Sequence, residues 1–254
     1  MVLSALRGAV GFLTRLPVGG DGASWEAFRR TPAAIPLVGY LVGGVAALAF
    51  LVPIPIPSAA ALYLATLVLL TGVTHADGLA DLGDAAAVHG GADRARRREV
   101  LKDSRTGVGG ALAVSLALVV LGLGALGLAG TRPRVAFALA VAVEVGTKAG
   151  MALLVCTREP AHEGLGSALT EHATPTALLP VALVVVPVVA IAAVLGAGYA
   201  SAATAVVAPV AVAWLVGRWA AGALGGISGD VLGAANELGR VAGVHAGVIA
   251  WTLW

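Results

Sequence analysis

Charged residues are scarce in this chain. Only 12% of its 254 residues are Asp, Glu, Lys or Arg, where about 25% is usual for a soluble domain. Apolar residues make up 59% of the chain, and its mean hydropathy is +0.94. This composition excludes an ordinary soluble domain. It predicts an all-α polytopic membrane bundle in which residues 1–254 form a single domain.

Cysteine is almost absent, and the net charge is small. The lone Cys156 cannot form a disulfide within the chain. A formal net charge of +2 gives no electrostatic argument for binding nucleic acid, and none is expected as a partner. Residues 1–16 are interrupted by Arg7 and Arg15 and lack a small-x-small cleavage motif. We therefore expect no removable signal peptide.

Apolar runs of roughly twenty residues predict about six to seven membrane spans. The expected spans are 35–52, 58–74, 109–129, 133–156, 176–196 and 200–222, with a shorter seventh segment at 240–254. Residues 1–31 are mildly amphipathic and predict an interfacial helix followed by a loop. Residues 76–108 are polar and predict a loop outside the bilayer.

Basic residues predict the orientation of the bundle. The polar loop contains six of them: Arg94, Arg96, Arg97, Arg98, Lys102 and Arg105. The positive-inside rule places this loop in the cytoplasm. Counting spans from there puts the N-terminal segment and the 157–174 and 223–240 loops on the same side. We therefore expect an active site at the cytoplasmic face of the membrane, which the family resemblance given below implies to be the inner membrane.

Three carboxylates stand at the start of the polar loop. Asp77, Asp81 and Asp84 are spaced by four and three residues, so on a helix they fall within an arc of roughly 60°. Like charges at this spacing repel. A bound cation explains such a stripe, and hard oxygen ligands favour Mg²⁺ or Mn²⁺. The alternative is a solvated acidic turn that caps a helix.

A basic, glycine-rich segment follows at residues 102–110. Ser104 or Thr106 is positioned to cap the next helix, and Gly107 begins a stretch whose backbone N–H groups can approach an anion. Lys102 and Arg105 add donors for phosphate oxygens. The alternative is that these basic residues only anchor a span at the lipid headgroups.

Three weaker features lie further along the chain. Glu163 contributes one carboxylate to a glycine-containing loop, and residues 225–230 form a glycine-rich turn that ends at Asp230. Glu144 and Lys148 lie four residues apart inside a span, where they form either a buried ion pair or a contact with substrate. Acidic metal ligands beside basic anion sites favour one reaction class. This class is transfer of a substituted phosphoryl group from a nucleotide-activated donor to an alcohol.

Five motifs in this order resemble the cobalamin synthase family, whose members are adenosylcobinamide-GDP ribazoletransferases. They are Thr-Arg-Leu-Pro at 14–17, His-x-Asp-Gly-Leu-Ala-Asp-x-x-Asp at 75–84, Lys-Asp-Ser-Arg-x-Gly at 102–107, Glu-Gly-Leu-Gly at 163–166, and Gly-Gly-x-Ser-Gly-Asp-x-Leu-Gly-Ala at 225–234 with Glu-Leu at 237–238. The resemblance covers nearly the whole chain. Ala76, Ala85 and Ser228 stand where the family often has Leu, Gly and Thr.

The resemblance implies a reaction, a cofactor and a set of site residues. Adenosylcobinamide-GDP and α-ribazole, or its 5′-phosphate, are joined to give adenosylcobalamin or its 5′-phosphate and GMP, with Mg²⁺. The catalytic candidates are Asp77, Asp81, Asp84, Lys102, Asp103 and Arg105, of which the first three are the metal ligands. The substrate-binding candidates are Arg15, Ser104, Gly107, Lys148, Glu163, Gly226, Ser228, Asp230 and Glu237. Asp103, Glu163 and Asp230 remain alternatives for a further metal ligand or the general base. The partners expected are the two substrates and the lipid bilayer, with a homo-oligomer as an option.

Two other functions compete with this interpretation. A CDP-alcohol phosphotransferase uses similar chemistry, but its acidic motif continues with an Ala-Arg pair, whereas Ala80 is followed by Asp81 here. A cation transporter or membrane scaffold would need acidic groups in the middle of its spans. Apart from Glu144, the carboxylates are predicted at span ends.

Overall fold

The structure is a computed structural model that describes residues 2–88, 94–103 and 105–254. Helices account for most of these ranges. They are α1 (Val2–Leu13), α2 (Gly22–Arg29), α3 (Ala34–Ala47), α4 (Ile56–Thr71), α5 (Thr74–Ala87), α6 (Arg94–Leu101), α7 (Val108–Ala129), α8 (Pro133–Thr157), α9 (Leu165–Thr170), α10 (Leu178–Ala192), α11 (Tyr199–Ala223) and α12 (Gly229–Leu253). Short 3₁₀ turns extend α3 to Leu51 and precede α10 from Pro175, and a π-turn at Ala193–Ala197 follows α10. The described residues contain no named strand.

Helix α8 is the centre of the bundle. It contacts α3, α10, α11 and α12, and 89% of the residues in its apolar membrane-spanning stretch are buried. Small residues let its neighbours approach closely, as is typical of helix packing in lipid. A Cβ on Gly146 would lie 2.7 Å from Val206 Cα of α11, so only glycine fits there. By contrast, α7 and the segment Pro175–Ala197 are only 22% buried, which leaves their outer faces for lipid.

Five helices in the described ranges are long and apolar enough to cross a membrane, and the bent pair α4–α5 makes a sixth if counted as one span. The predicted all-α polytopic bundle is therefore confirmed, at the lower end of the expected span count. The segment expected at 240–254 is instead the end of a 25-residue helix, α12, that begins at Gly229. The sequence pattern missed its first half because Asp230, Glu237 and Arg240 lower the local hydropathy.

The chain bends by 92° between α4 and α5. Gly72 occupies the bend with a φ of +71°, a conformation that favours glycine. A Cβ on Gly72 would lie 2.9 Å from Arg15 Cδ, and the Arg15 N–H donates to the Leu70 carbonyl at 2.7 Å. Within the polar segment 76–108, α5 and α6 occupy most of the described residues, and its predicted position outside the bilayer stays a prediction.

The N-terminal segment forms two helices rather than one helix and a loop. Phe12 of α1 packs against Trp25 and Phe28 of α2, with ring centroids 5.4 and 5.6 Å apart. Asp21 caps α2 by accepting a hydrogen bond from the Ser24 N–H. Helix α1 also contacts α3, and its buried positions include Ala5 and Ala9. This segment is therefore packed onto the bundle.

Candidate active site

The three predicted carboxylates lie on one helix. Asp77, Asp81 and Asp84 all belong to α5, as their spacing predicts. Asp77 is exposed, whereas Asp81 and Asp84 are half-buried. The opposite face of α5 carries the buried Leu79 and Leu82. The helix therefore presents its carboxylates away from its own apolar face.

Asp84 is tied to the start of α7. Its two carboxylate oxygens accept hydrogen bonds from the N–H groups of Gly107 and Gly110, at 2.7 and 2.8 Å. A negative charge at a helix N-terminus is stabilising. The N-cap residue of α7 is Gly107, which has no side chain to cap the helix, so the expected cap by Thr106 is not formed. The Asp84 carboxylate caps α7 instead. Ser104, the other expected cap and a substrate-binding candidate, lies outside the described residues.

Asp230 joins the stripe from a distant part of the chain. A Cβ on Gly78 of α5 would lie 2.7 Å from Asp230 Cα, so the two backbones touch where α5 crosses the start of α12. Ser228 caps α12 and donates to the Asp230 carboxylate at 3.1 Å. The charged groups that act on Asp81 are Asp77, Asp230 and Asp84, all of the same sign. Among the described residues, the cluster is therefore a concentration of carboxylates without a matching cation.

A small cavity adjoins this cluster. Its volume is about 120 Å³, and its lining includes Asp77, Asp230, Thr74 and the buried His75. The His75 Nδ1 atom has no hydrogen-bond partner in the described part of the chain and lies 3.9 Å from a Glu237 oxygen. These residues bring α5 and α12 into one polar recess.

The glycine-rich turn before α12 is held by the loop after α8. Residues Pro160 and Ile227 form a parallel bridge in which the Ile227 N–H donates to the Glu159 carbonyl at 2.9 Å. Gly226 has a φ of +157°, and a Cβ there would lie 2.5 Å from the Glu159 oxygen. These backbone contacts are enough to require a glycine at position 226, and the role of Gly226 in substrate binding stays a prediction.

Glu163 occupies a separate polar cavity. The exposed side chain of Glu163 has no hydrogen bond or ion pair within the described ranges. The cavity has a volume of about 780 Å³ and is also lined by Arg29, Arg158 and Glu171. Gly166 connects this loop to the site, because a Cβ there would lie 3.0 Å from Ser228 Cα. Glu163 is thus near α12 but lines a different recess from the Asp cluster.

Asp103 and Arg105 form an exposed ion pair beside Asp84. The Arg105 guanidinium lies 2.8 Å from the Asp103 carboxylate, and this hydrogen bonding holds the pKa of Asp103 below its usual range. Both residues line a cavity of about 540 Å³ that also includes Asp84 and Gly107. Lys102 is exposed next to it. The structure therefore brings the predicted basic segment to one end of the carboxylate stripe.

Lys148 and Glu237 belong to a buried charge network. The Lys148 amine is fully buried, donates to Asn236 Oδ1 at 2.6 Å and lies 3.5 Å from Glu144. Arg240 bridges Glu144 at 2.5 Å and Glu237 at 2.7 Å. Two acids thus balance two bases inside the bundle. The ion-pair alternative for Glu144 and Lys148 agrees with this geometry.

The sequence pattern does not single out Arg240, and it gives no role to Asn236 beside Glu237. Both are almost fully buried, at 2% and 0% exposure, and both contact a residue that was singled out. Arg240 follows Glu237 by three residues in a largely apolar segment, and this spacing could have predicted an ion pair between the two side chains. Arg15, the remaining substrate-binding candidate, is exposed at the α4–α5 bend.

A divalent cation fits the chemistry of the donor set, although the carboxylates are not gathered into a complete ligand sphere. In the part of the chain that the structure describes, no three His, Cys, Asp or Glu side chains converge closely enough to hold a metal ion. The oxygen donors and the unbalanced negative charge around Asp81 are nevertheless those that Mg²⁺ prefers. Asp84 also retains lone pairs, because each carboxylate oxygen can accept more than one bond.

Comparison with known proteins decides the family. The family model described as cobalamin-5-phosphate synthase matches residues 5–248. The chain belongs to the cobalamin-5-phosphate synthase family. This confirms the relationship that the five motifs predict, and the match includes every element that forms the carboxylate cluster.

Relatives in this family align over their full length. A protein from Haloquadratum walsbyi named adenosylcobinamide-GDP ribazoletransferase is 51% identical over 100% of both chains. One of the same name from Halorubrum lacusprofundi is 52% identical over 99% of both, and one from Methanocella arvoryzae is 33% identical over 100% of this chain and 97% of its own. No solved structure matches the chain. Together, the family and the long apolar helices indicate a multi-pass membrane protein.

Proposed function

We propose that this chain joins adenosylcobinamide-GDP to α-ribazole, or to α-ribazole 5′-phosphate. The products are adenosylcobalamin, or its 5′-phosphate, and GMP. Full-length similarity to relatives named for this transfer supports the proposal. The reaction is the last assembly stage of cobalamin biosynthesis.

The carboxylate cluster is the observation that carries this function. Asp81 is half-buried, and the charges that act on it come from Asp77, Asp84 and Asp230, all negative. Such repulsion costs stability unless a cation is present during the reaction. A diphosphate donor that arrives with a divalent cation supplies that charge.

We propose Mg²⁺ as the cofactor, held by Asp77, Asp81 and Asp84. Asp230 is a fourth candidate ligand because it lines one cavity with Asp77 and its charge acts on Asp81. When bound, the ion neutralises the charge of the donor diphosphate. Asp84 also orients the start of α7, since it accepts two N–H groups there.

The transfer itself needs one bond formed and one broken. The ribose 3′-hydroxyl of the acceptor attacks the phosphorus nearer the cobinamide, the new O–P bond forms, and the P–O bond to GMP breaks. We propose that Lys102 and Arg105 hold phosphate oxygens; Arg105 lines one cavity with Asp84 of the stripe, which supports this role. Of the three candidates for the base, Asp230 is the one whose charge acts on Asp81, so we assign it the hydroxyl proton.

Asp103 and Glu163 are weaker candidates for the base. Asp103 is ion-paired with Arg105, which lowers its pKa and its affinity for a proton. Glu163 lines a different cavity. We also propose that the site faces the cytoplasm, because the basic residues of α6 lie at the same end of the bundle.

The direct test uses purified protein in nanodiscs. Adenosylcobinamide-GDP, α-ribazole and Mg²⁺ are supplied, and GMP and the corrinoid product are measured by liquid chromatography. We expect both products in equal amounts, their loss with EDTA, and their return with excess Mg²⁺. Turnover of a CDP-activated alcohol in place of this donor would favour the phosphotransferase alternative. Turnover that persists with EDTA would remove the metal from the proposal.

A further inference from the structure

An apolar groove runs beneath α5. Its volume is about 600 Å³, and residues of α5, α7, α11 and α12 line it. Leu82 and Ala86 of α5 cover it, and Leu116 and Ala117 of α7 form one wall. Leu116 is 61% exposed although it lies on a membrane-spanning helix. The groove is therefore open toward the surrounding lipid.

This groove is distinct from the carboxylate site. At 100° per residue, Leu79, Leu82 and Ala86 lie roughly 180° around α5 from the stripe of Asp77, Asp81 and Asp84. Helix α5 thus separates an acidic recess from an apolar one. The groove is not part of the chemistry proposed above.

The groove continues into a basic mouth. A second cavity of about 580 Å³ is lined by Arg97, Arg218 and Gly222. It shares Leu215 and Trp219 with the groove, so the two spaces adjoin at these side chains. The result is one continuous surface that is apolar along the spans and cationic at its end.

The fold holds the cations of the mouth in place. Arg97 is half-buried and donates to the Ala85 carbonyl at 3.0 Å. The Arg218 guanidinium lies 5.8 Å from the centroid of the Trp214 ring. Arg94 and Arg98 donate to the Gly222 and Leu224 carbonyls at 2.9 and 2.6 Å, which fixes α6 against the end of α11.

Neither arginine of the mouth is neutralised by an acid within residues 2–88, 94–103 and 105–254. The ion pairs of these ranges include neither Arg97 nor Arg218. Two arginines beside an apolar groove match a phosphodiester attached to an acyl chain, since guanidinium binds phosphate oxygens in pairs. Basic pockets between spans are typical sites for anionic headgroups.

We propose that the groove and its mouth bind one anionic phospholipid. The phosphate lies between Arg97 and Arg218, and one acyl chain occupies the groove between α7 and α11. The lipid then links α6 to the spans from the side opposite the acidic cluster. Charge complementarity selects an anionic lipid over a zwitterionic one.

The test measures which lipid the intact protein retains. The protein is placed in nanodiscs that contain phosphatidylcholine with 20% phosphatidylglycerol (about one lipid in five), and retained lipid is measured by native mass spectrometry. We expect phosphatidylglycerol to be retained in preference. Arg218→Gln and Arg97→Gln should each weaken retention about fivefold, the change that corresponds to ~1 kcal/mol per basic residue at a membrane surface. Arg134→Gln, in the first turn of α8 beyond the far end of α7, is the matched control.

A second pair of variants tests the groove. Ala117→Phe fills the space and should reduce phosphatidylglycerol retention, whereas Ala111→Phe places the same ring on the exposed side of α7 and should not. Equal retention of both lipids by the wild type would overturn the proposal. So would full displacement by glycerol phosphate, which indicates a free phosphate site, or crosslinking of two copies through α7, which indicates a protein occupant.

Discussion

The Asp84 carboxylate accepts a 2.7 Å hydrogen bond from the Gly107 N–H group. This contact joins the end of the acidic stripe to the first residues of α7. A Cβ on Gly107 would lie 2.5 Å from an Asp84 oxygen, so the pairing needs glycine on one side and a short carboxylate on the other. Asp84 therefore has a structural role in addition to its proposed catalytic one.

Replacement of Asp84 should lower both stability and activity. Asp84→Asn removes the negative charge at the α7 N-terminus. It also replaces one acceptor oxygen by an amide NH₂ group, which cannot accept a hydrogen bond from the Gly107 or Gly110 N–H. We expect a loss of about 2 kcal/mol in the free energy of unfolding, typical of hydrogen bonds to a charged group. Thermal unfolding in detergent measures it. An unchanged melting temperature would show that the contact is not maintained.

Replacement of Asp81 should affect activity alone. Asp81→Asn removes one of the mutually repelling charges, so stability should be unchanged or higher. Turnover should fall at least about 100-fold, the usual effect of removing one electrostatic stabiliser of a transition state. The assay is GMP release in nanodiscs. Wild-type turnover in a correctly folded variant would remove the stripe from the mechanism.

Gly78 tests the contact between α5 and α12. Gly78→Ala places a methyl group 2.7 Å from Asp230 Cα, so the helices must separate. We expect a destabilisation of about 1–3 kcal/mol and reduced turnover, because Asp230 moves away from the stripe. Gly44→Ala is the control, since no atom lies within 4 Å of a Cβ at that position. Equal melting temperatures for the two variants would contradict the close approach.

The network around Lys148 is open to a double-variant test. Lys148→Met and Glu144→Gln each leave one uncompensated charge among buried groups, so each should cost about 3–5 kcal/mol. The double variant restores the balance and should recover part of that loss. Thermal unfolding of all three proteins measures the coupling. Additive losses would show that the two side chains are not coupled, and a raised KM with unchanged stability would favour a direct contact between Lys148 and substrate.

Arg105 should matter for substrate and not for folding. The Asp103–Arg105 pair is exposed, and exposed pairs contribute little. Because the pKa of Asp103 is lowered, any stabilisation is present above the ordinary pKa of an aspartate and is lost as pH falls through the lowered value. Arg105→Gln should keep its melting temperature at neutral pH and raise KM for the GDP-activated donor. Unchanged KM would assign the phosphate contact to another residue.

The local features of the site could be predicted from the sequence. The spacing of Asp77, Asp81 and Asp84 predicts one helix face, and the glycines after Thr106 predict a close approach of backbone N–H groups to an anion. Both are present, but the anion is the chain's own Asp84. Spacing within a segment does not specify which partner arrives from elsewhere.

Long-range features could not be predicted in the same way. The 92° bend at Gly72 depends on a single positive φ, and nothing in the hydropathy distinguishes it from a loop. Asp230 reaches the stripe only because Gly78 permits backbone contact between α5 and α12. The sequence predicts a loop over the first half of α12 because Asp230, Glu237 and Arg240 are charged, and charged residues usually lie in solvent. Glu237 and Arg240 are instead paired inside the bundle, where Arg240 also binds Glu144, whereas Asp230 joins the carboxylate cluster.

The balanced charges of α8 also constrain how the protein is made. Lys148 and Glu144 find Asn236 and Arg240 only on the last helix. At roughly 5–20 residues per second, the ribosome needs several seconds to pass from Lys148 to Arg240. During that interval the central helix carries its two charges without their α12 partners. Helix α12 therefore completes the charged interior last, and a chain truncated before Arg240 should insert with an α8 whose two charges have only each other as partners.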